Sequence, residues 1–230
     1  MISVVVPCYN EEKYLPRCLS SLATQSFPRD QFEIGVVDGG NDGTASIAED
    51  FGARLVREPR RGVALARQRG ADEARGEIIA ISSADTELPP DWLSRIDAHF
   101  AADPELAAVG GPVSSYDGNR ILDMYFIFPP THFVLAFLGF TTFSCDNVAI
   151  RSSALARVHG FNIYLPALED TDLAFRLRKA GRVRLDRKLI ARTSIRRARE
   201  GWFRYFLRAL SSNVRLFVLK QTPHAFPEIR

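Results

Sequence analysis

A chain of 230 residues with 46% hydrophobic and 25% charged side chains has the make-up of one soluble-type globular domain with room for a sizeable core. Its net charge of +3 conceals an asymmetry: residues 1–175 hold 14 Lys and Arg against 24 Asp and Glu, whereas residues 176–220 hold 15 against 2, so an acidic, enzyme-like body precedes a basic surface suited to an anionic partner. Nucleic acid ranks low as that partner, since the basic tract is interleaved with aliphatic and aromatic runs and carries no nucleic-acid module motif. Cys8, Cys18 and Cys145 lack paired metal spacing and are too few and odd in number for a disulfide framework, so they are expected as reduced core thiols in a cytosolic compartment.

Ile2-Ser3-Val4-Val5-Val6 is a β-branched run stopped by Pro7, expected as a buried strand. It stands where a secretory signal would place a basic segment followed by a long apolar one. Asn10 is positioned as N-cap of a helix that carries Tyr14, Leu15, Cys18, Leu19 and Leu22 on one face. A second strand, Phe32 to Val37, runs into a loop from Asp38 to Thr44 whose two carboxylates and three glycines let backbone approach a ligand closely. Asp42 can begin the next helix; Asp38, at the strand edge itself, has less structural excuse. Arg54-Leu55-Val56 forms a short strand, and the helix Val63 to Ala74 sets Arg67 one turn in, as a solvated side chain or a partner for phosphate oxygens.

The run Ile78 to Ile81 reads as a strand buried on both faces, and polarity then switches abruptly at Ser82-Ser83-Ala84-Asp85-Thr86. A carboxylate at the carboxyl end of a central strand lies where open α/β sheets bind ligands, so Asp85 is a candidate metal or substrate contact. The alternative is a cap for the helix that Pro89, Pro90, Asp91 and Trp92 announce. Strand and helix alternate up to this point, which demands an α/β fold with a mostly parallel central sheet sandwiched by helices, Asp38 and Asp85 sharing one rim.

A helix from Trp92 to Phe100 is followed by Leu106–Val109 and Gly110–Val113, expected as one further strand. The aromatic-rich stretch Ile121 to Phe143 is split by Pro129-Pro130 into pieces too short for a bilayer core that needs about 20 residues, leaving a buried helical hairpin or an acceptor-side surface dipping into lipid. Glu169 and Asp170 precede a helix, Thr171 to Ala180, that ends at Gly181; such carboxylates by themselves read as caps or dipole partners. Beyond Arg192, Arg204, Arg208, Ser211 and Arg215 form one helical stripe and Trp202, Phe203, Phe206, Leu207, Leu210, Val214, Phe217 and Val218 the remainder. That helix could pack on the domain, mediate a dimer or lie in the headgroup layer of an anionic membrane, and its cationic aromatic composition favours the last. Arg196, Arg197 and Arg199 could meet acceptor or donor phosphates.

Val4-Val5-Val6-Pro7-Cys8-Tyr9-Asn10-Glu11, the loop at Asp38, Ala66-Arg67-Gln68-Arg69-Gly70, Ala84-Asp85-Thr86, Asn147 to Arg151 and Glu169 to Leu177 together resemble the family 2 inverting glycosyltransferases of the GT-A fold. The similarity covers residues 1 to about 200, with a nucleotide-binding part over roughly 1–115, an acceptor-side part over roughly 116–200, and a basic amphipathic helix and tail over 201–230. The resemblance implies that Pro7, Tyr9, Glu11 and Asp38 hold the base and ribose of a UDP- or GDP-sugar, with Arg67, Ser83, Ala84 and Asp85 completing the donor side. Asp85 would bind the Mg²⁺ or Mn²⁺ that bridges the diphosphate, and Asp170 would take the acceptor's proton. Glu169, Arg196, Arg199 and Trp202 would face a lipid-linked or glycan acceptor, the chain lying peripherally at the cytoplasmic face of a membrane.

Two departures stand out. The motif's first aspartate is Ser83 here, which offers a hydroxyl and no charge, and the loop after Asp38 is one residue shorter than the common form. Ser83 motivates one rival, a catalytically silent nucleotide-sugar-binding or scaffold protein. A second, a nucleotidyltransferase, would need a glycine-rich basic phosphate loop after the first strand, and Cys8-Tyr9-Asn10-Glu11 is not one.

Overall fold

The computed structural model describes residues 1–116 and 141–194, together with 196, 207, 211–212, 214–219 and 221–223. The opening β-branched run becomes β1 (Ile2–Cys8), which continues through Pro7 and pairs in parallel with β2 (Phe32–Asp38) on one side and β4 (Ile78–Ser82) on the other. With β3 (Arg54–Arg57), β6 (Leu106–Gly110), β8 (Asn147–Arg151) and β9 (Arg182–Leu185) these form a seven-stranded sheet in the order β3-β2-β1-β4-β8-β6-β9. Only β8 runs against its neighbours.

Alternation along β1 sends Ile2, Val4 and Val6 to one face and Val5 to the other, the period-two pattern of a strand buried on both sides. The first face is covered by α1 (Leu15–Ala23), α2 (Thr44–Asp50) and α4 (Trp92–Ala102). On the second lie α3 (Val63–Glu73), α5 (Ser152–Arg157) and α6 (Glu169–Leu177). Helix α3 sits directly on the strands because Gly70 has no side chain: a Cβ there would stand 2.2 Å from Val5 Cγ1. All three cysteines are free and buried.

A smaller sheet, β5 (Thr86–Glu87), β10 (Ala191–Thr193) and β7 (Val113–Ser115), ties the segment after Asp85 to the returning chain. The stretch expected as one strand over 106–113 is therefore two strands in two sheets. Asn147 fastens the seam: Trp92 Nε1 donates to its Oδ1 at 2.8 Å, and its Nδ2 donates to Leu189 O at 2.6 Å and Pro112 O at 3.0 Å, so all the polar atoms involved are satisfied in a dry setting.

Asn10 is not an N-cap. Helix α1 starts only at Leu15, and Asn10 takes a left-handed backbone (φ 56°) that turns its side chain toward the loop after β2. Asp42, by contrast, does brace the start of α2 from just ahead of it, its Oδ1 accepting from Thr44 N at 3.1 Å. Gly181 closes the turn after α6 with φ 156° and donates to Leu177 O at 3.1 Å. Among the described residues no helix is long and apolar enough to cross a membrane. The aromatic stretch at 121–140, Arg199, Trp202 and most of the expected C-terminal helix lie outside the described residues; within that tail, Val214–Val218 form a π-helical turn.

Candidate active site

Three parallel strands, β1, β2 and β4, deliver their carboxyl ends to one edge, the edge at which α/β sheets bind ligands. Asp38 closes β2 in register with Cys8 on one side and Arg57 on the other, and is 1% exposed. Arg57 Nη1 donates to its Oδ2 at 2.5 Å and Gly40 N to its Oδ1 at 2.8 Å. The loop after β2 folds tightly over Asn10, whose Oδ1 accepts from Asn41 N at 2.9 Å; a Cβ on Gly40 would stand 2.5 Å from that same oxygen. Tyr9 lies beside this loop, its hydroxyl accepting from Arg61 Nη2 at 2.5 Å with the guanidinium over its ring.

From Glu11 the line of contacts crosses to the far end of the chain. Arg196 Nη2 donates to Glu11 Oε1 at 2.6 Å, its Nε stands 3.0 Å from Asp85 Oδ2, and its guanidinium lies over the Tyr14 ring. Burial works against that charge, but Glu11 and Asp85 outweigh it and raise the pKa of Arg196. Arg196 thus bridges Glu11 and Asp85 in this structure. Asp85 caps no helix: α4 begins only after Asp91, and Thr193 Oγ1 donates to Asp85 O at 3.2 Å.

On the other side of Asp85, Ser83 Oγ donates to Asp146 Oδ1, a carboxylate supplied by the turn ahead of β8. Asp146 also faces Arg67 Nη2 at 3.8 Å, and Arg67 Nη1 donates to Glu169 Oε1. Arg67 is buried, not the solvated side chain that its sequence position allowed. Leu168, in the left-handed region at φ 62°, turns the chain so that Glu169 and Asp170 open α6 toward this guanidinium. Asp170 Oδ1 accepts from Thr171 N at 2.7 Å and Thr171 Oγ1 at 3.3 Å. Burial raises the pKa of Glu169 and of Asp170, more than Arg67 lowers either, and Asp146 adds to the rise in both. Asp172 turns away and holds Arg176. Pro7 and Ala84 contribute backbone to the rim, Ala84 being buried.

Arg67 is the sole guanidinium reaching both Asp146 and Glu169 among the contacts described, and its removal strands a buried charge. Arg67→Met is expected to lower unfolding free energy by about 3 kcal/mol or more. Because an acid with a raised folded-state pKa binds more protons folded than unfolded, the deficit should shrink as pH falls through the raised pKa of Glu169 and grow toward alkaline pH. Denaturant melts of wild type and variant across that range check both statements.

Sequence reading missed Asp146. An acidic residue between Cys145 and the β-branched start of β8 was the available signal, and only the antiparallel pairing of β8 with β4 brings it to Ser83.

The family model for glycosyl transferase family 2 matches residues 3–158. The chain belongs to glycosyl transferase family 2. Within the family it is 33% identical over 101 residues to glycosyltransferase AglE of Haloferax volcanii, covering 41% of this chain and 33% of that protein. It is 27% identical over 130 residues to a dolichyl N-acetyl-alpha-D-glucosaminyl phosphate 3-beta-D-2,3-diacetamido-2,3-dideoxy-beta-D-glucuronosyltransferase of Methanococcus voltae, covering 51% of this chain and 40% of that one. This family 2 chain thus spans well under half the length of these curated relatives. Among solved structures it is similar to the mannosyltransferase PcManGT of Pyrobaculum calidifontis in complex with GDP-Man and Mn²⁺, with a TM-score of 0.75 and 26% identity over 97% of this chain and 65% of that one. The seven-stranded, mostly parallel sheet with helices on both faces agrees with that GT-A-type neighbour.

Proposed function

We propose that this family 2 chain moves a sugar from a UDP- or GDP-linked donor, with inversion, to a hydroxyl or phosphate oxygen of a lipid-linked or membrane-proximal acceptor. The observation that carries this reading is the gathering of carboxylates at one sheet edge: Asp38 closes β2, Arg196 bridges Glu11 and Asp85, and Ser83, two residues before Asp85, bonds Asp146, which Arg67 faces together with Glu169, the neighbour of Asp170. Support also comes from the GDP-Man and Mn²⁺ in the mannosyltransferase structure and from the dolichyl phosphate in the name of the Methanococcus relative.

Tyr9, Glu11 and Asp38 would receive the nucleoside, the Asp38 carboxylate being held in one orientation by Arg57 and Gly40. A cation suits the next position, since the Arg196 guanidinium already stands between Glu11 and Asp85. Among the described residues no three His, Cys, Asp or Glu side chains converge on a point, so Asp85 would hold Mg²⁺ or Mn²⁺ with donor and water oxygens completing its shell. Such an ion, when bound, offsets the negative charge gathering on the departing nucleoside diphosphate. Asp85 would hold the ion in place of Arg196.

Asp170 would act as base. Its two hydrogen bonds from Thr171 both fall on Oδ1, so Oδ2 can take the acceptor's proton as the acceptor oxygen bonds to the anomeric carbon opposite the diphosphate, whose own bond to that carbon breaks. A raised pKa brings this carboxylate closer to the working pH, as a base requires. The basic, aromatic segment beyond Arg196 would keep the chain at the cytoplasmic face of a membrane, beside such an acceptor.

The test is nucleoside diphosphate release from a panel of UDP- and GDP-sugars with Mn²⁺ and a lipid phosphate or lipid-linked sugar. Release from at least one donor is expected. Donor binding without release in any combination would favour the silent binding protein suggested by Ser83.

A further inference from the structure

Ser83 occupies the place of an aspartate, yet a carboxylate is present at that spot all the same. In the antiparallel pairing of β4 with β8 the last matched pair is Ser82 with Asn147, and the next residues along, Ser83 and Asp146, meet side chain to side chain. Asp146 is held from three directions: Ser83 Oγ donates to Oδ1, Ser144 Oγ donates to Oδ2 at 3.0 Å, and the buried Arg67 stands 3.8 Å from Oδ1. The side chain nevertheless stays 34% exposed.

We propose that Asp146 supplies, from the neighbouring strand, the carboxylate that position 83 lacks, and that it orients a vicinal diol of the bound donor. A carboxylate has about four acceptor sites; one serine hydroxyl is bonded to each oxygen and Arg67, at 3.8 Å, stands beyond hydrogen-bond distance of Oδ1, so each oxygen keeps an acceptor site, the spacing that two adjacent hydroxyls match. Asp146 is therefore a positioning and binding residue on the donor side, and Ser83 is its fixed hydrogen-bond donor. This inference rests on the reading of the rim as a nucleotide-sugar site.

The decisive experiment transposes the two side chains. Calorimetric titration with UDP, GDP, their 2′,3′-dideoxy forms and the corresponding nucleotide sugars, all with Mn²⁺, is run on wild type, Asp146→Ser and the double variant Ser83→Asp/Asp146→Ser. Wild-type binding of at least one nucleotide tests the site reading by itself. Given that binding, Asp146→Ser is expected to weaken it about tenfold, the loss of charged hydrogen bonds, and the double variant, which keeps the same pair with the carboxylate on the other strand, is expected to recover to within about threefold. A loss present with the ribonucleotide and absent with its dideoxy form assigns the diol to the ribose; a loss seen only with the nucleotide sugar assigns it to the transferred sugar. Unchanged affinity in Asp146→Ser, an equal loss with every ligand, or a double variant that unfolds with the wild-type midpoint yet fails to recover binding would each overturn the proposal. A purely structural aspartate would affect the melting midpoint without this ligand-dependent pattern.

Discussion

Asp85→Asn is expected to lower sugar transfer about a thousandfold at fixed Mn²⁺, the equivalent of about 4 kcal/mol of lost charge stabilisation on the leaving diphosphate. The substitution keeps the size of the side chain and an oxygen near Thr193 Oγ1, so the local backbone tie, Thr193 Oγ1 to Asp85 O at 3.2 Å, should survive. What it removes is the negative charge that now holds Arg196 Nε at 3.0 Å and would otherwise hold the divalent ion. Two readouts follow. Initial rates should need far more Mn²⁺ to reach half their maximum, and Arg196, still held by Glu11 and the Tyr14 ring, should keep the fold near its wild-type melting midpoint. A rate within a few-fold of wild type, at the same Mn²⁺ requirement, would remove Asp85 from the leaving-group side.

Asp170→Asn should cost a comparable amount for a different reason. A positioned general base contributes about a hundredfold to ten-thousandfold, and the amide can accept the Thr171 hydrogen bonds without being able to take a proton. Transfer is therefore expected to fall within that range while donor affinity stays within about twofold, since on the proposed reading the nucleotide contacts would lie at Tyr9, Glu11 and Asp38. The wild-type profile carries an independent sign. Because burial and the Asp146 charge raise the Asp170 pKa despite Arg67, the acid limb of kcat/KM should lie above the ordinary aspartate range, with activity lost as pH falls through it. An equal loss of donor binding and turnover in Asp170→Asn would argue that this residue shapes the donor site instead.

How far the site was legible differs from residue to residue. Asp38 and Asp85 could be placed on a common rim because each follows a β-branched or apolar run, and successive strand and helix units force such runs to lie parallel with their carboxyl ends together. Asp170 was readable only through the resemblance of Glu169 to Leu177 to a known family; by composition it was one more helix-start carboxylate. Asn10 was misjudged because a cap and a left-handed loop residue draw on the same short, hydrogen-bonding side chain. Asp146 escaped notice since its one local mark is an acid just ahead of a strand, and its meeting with Ser83 depends on the pairing of β8 with β4.

Sequence alone determined β1 to β4 and the helices α1 to α4 and α6, since those follow from side-chain branching, period and the breaks set by proline and glycine, all properties of near neighbours; the short strands β5, β9 and β10 and the split of 106–113 into two strands did not follow from it. Tertiary structure alone decided the partners: Arg67 meets Glu169 across 102 positions, Ser83 meets Asp146 across 63 and Arg196 meets Glu11 across 185. Those meetings depend on where β8 inserts into the sheet and where the chain returns after β10, and pattern within a segment carries no information about strand order between segments.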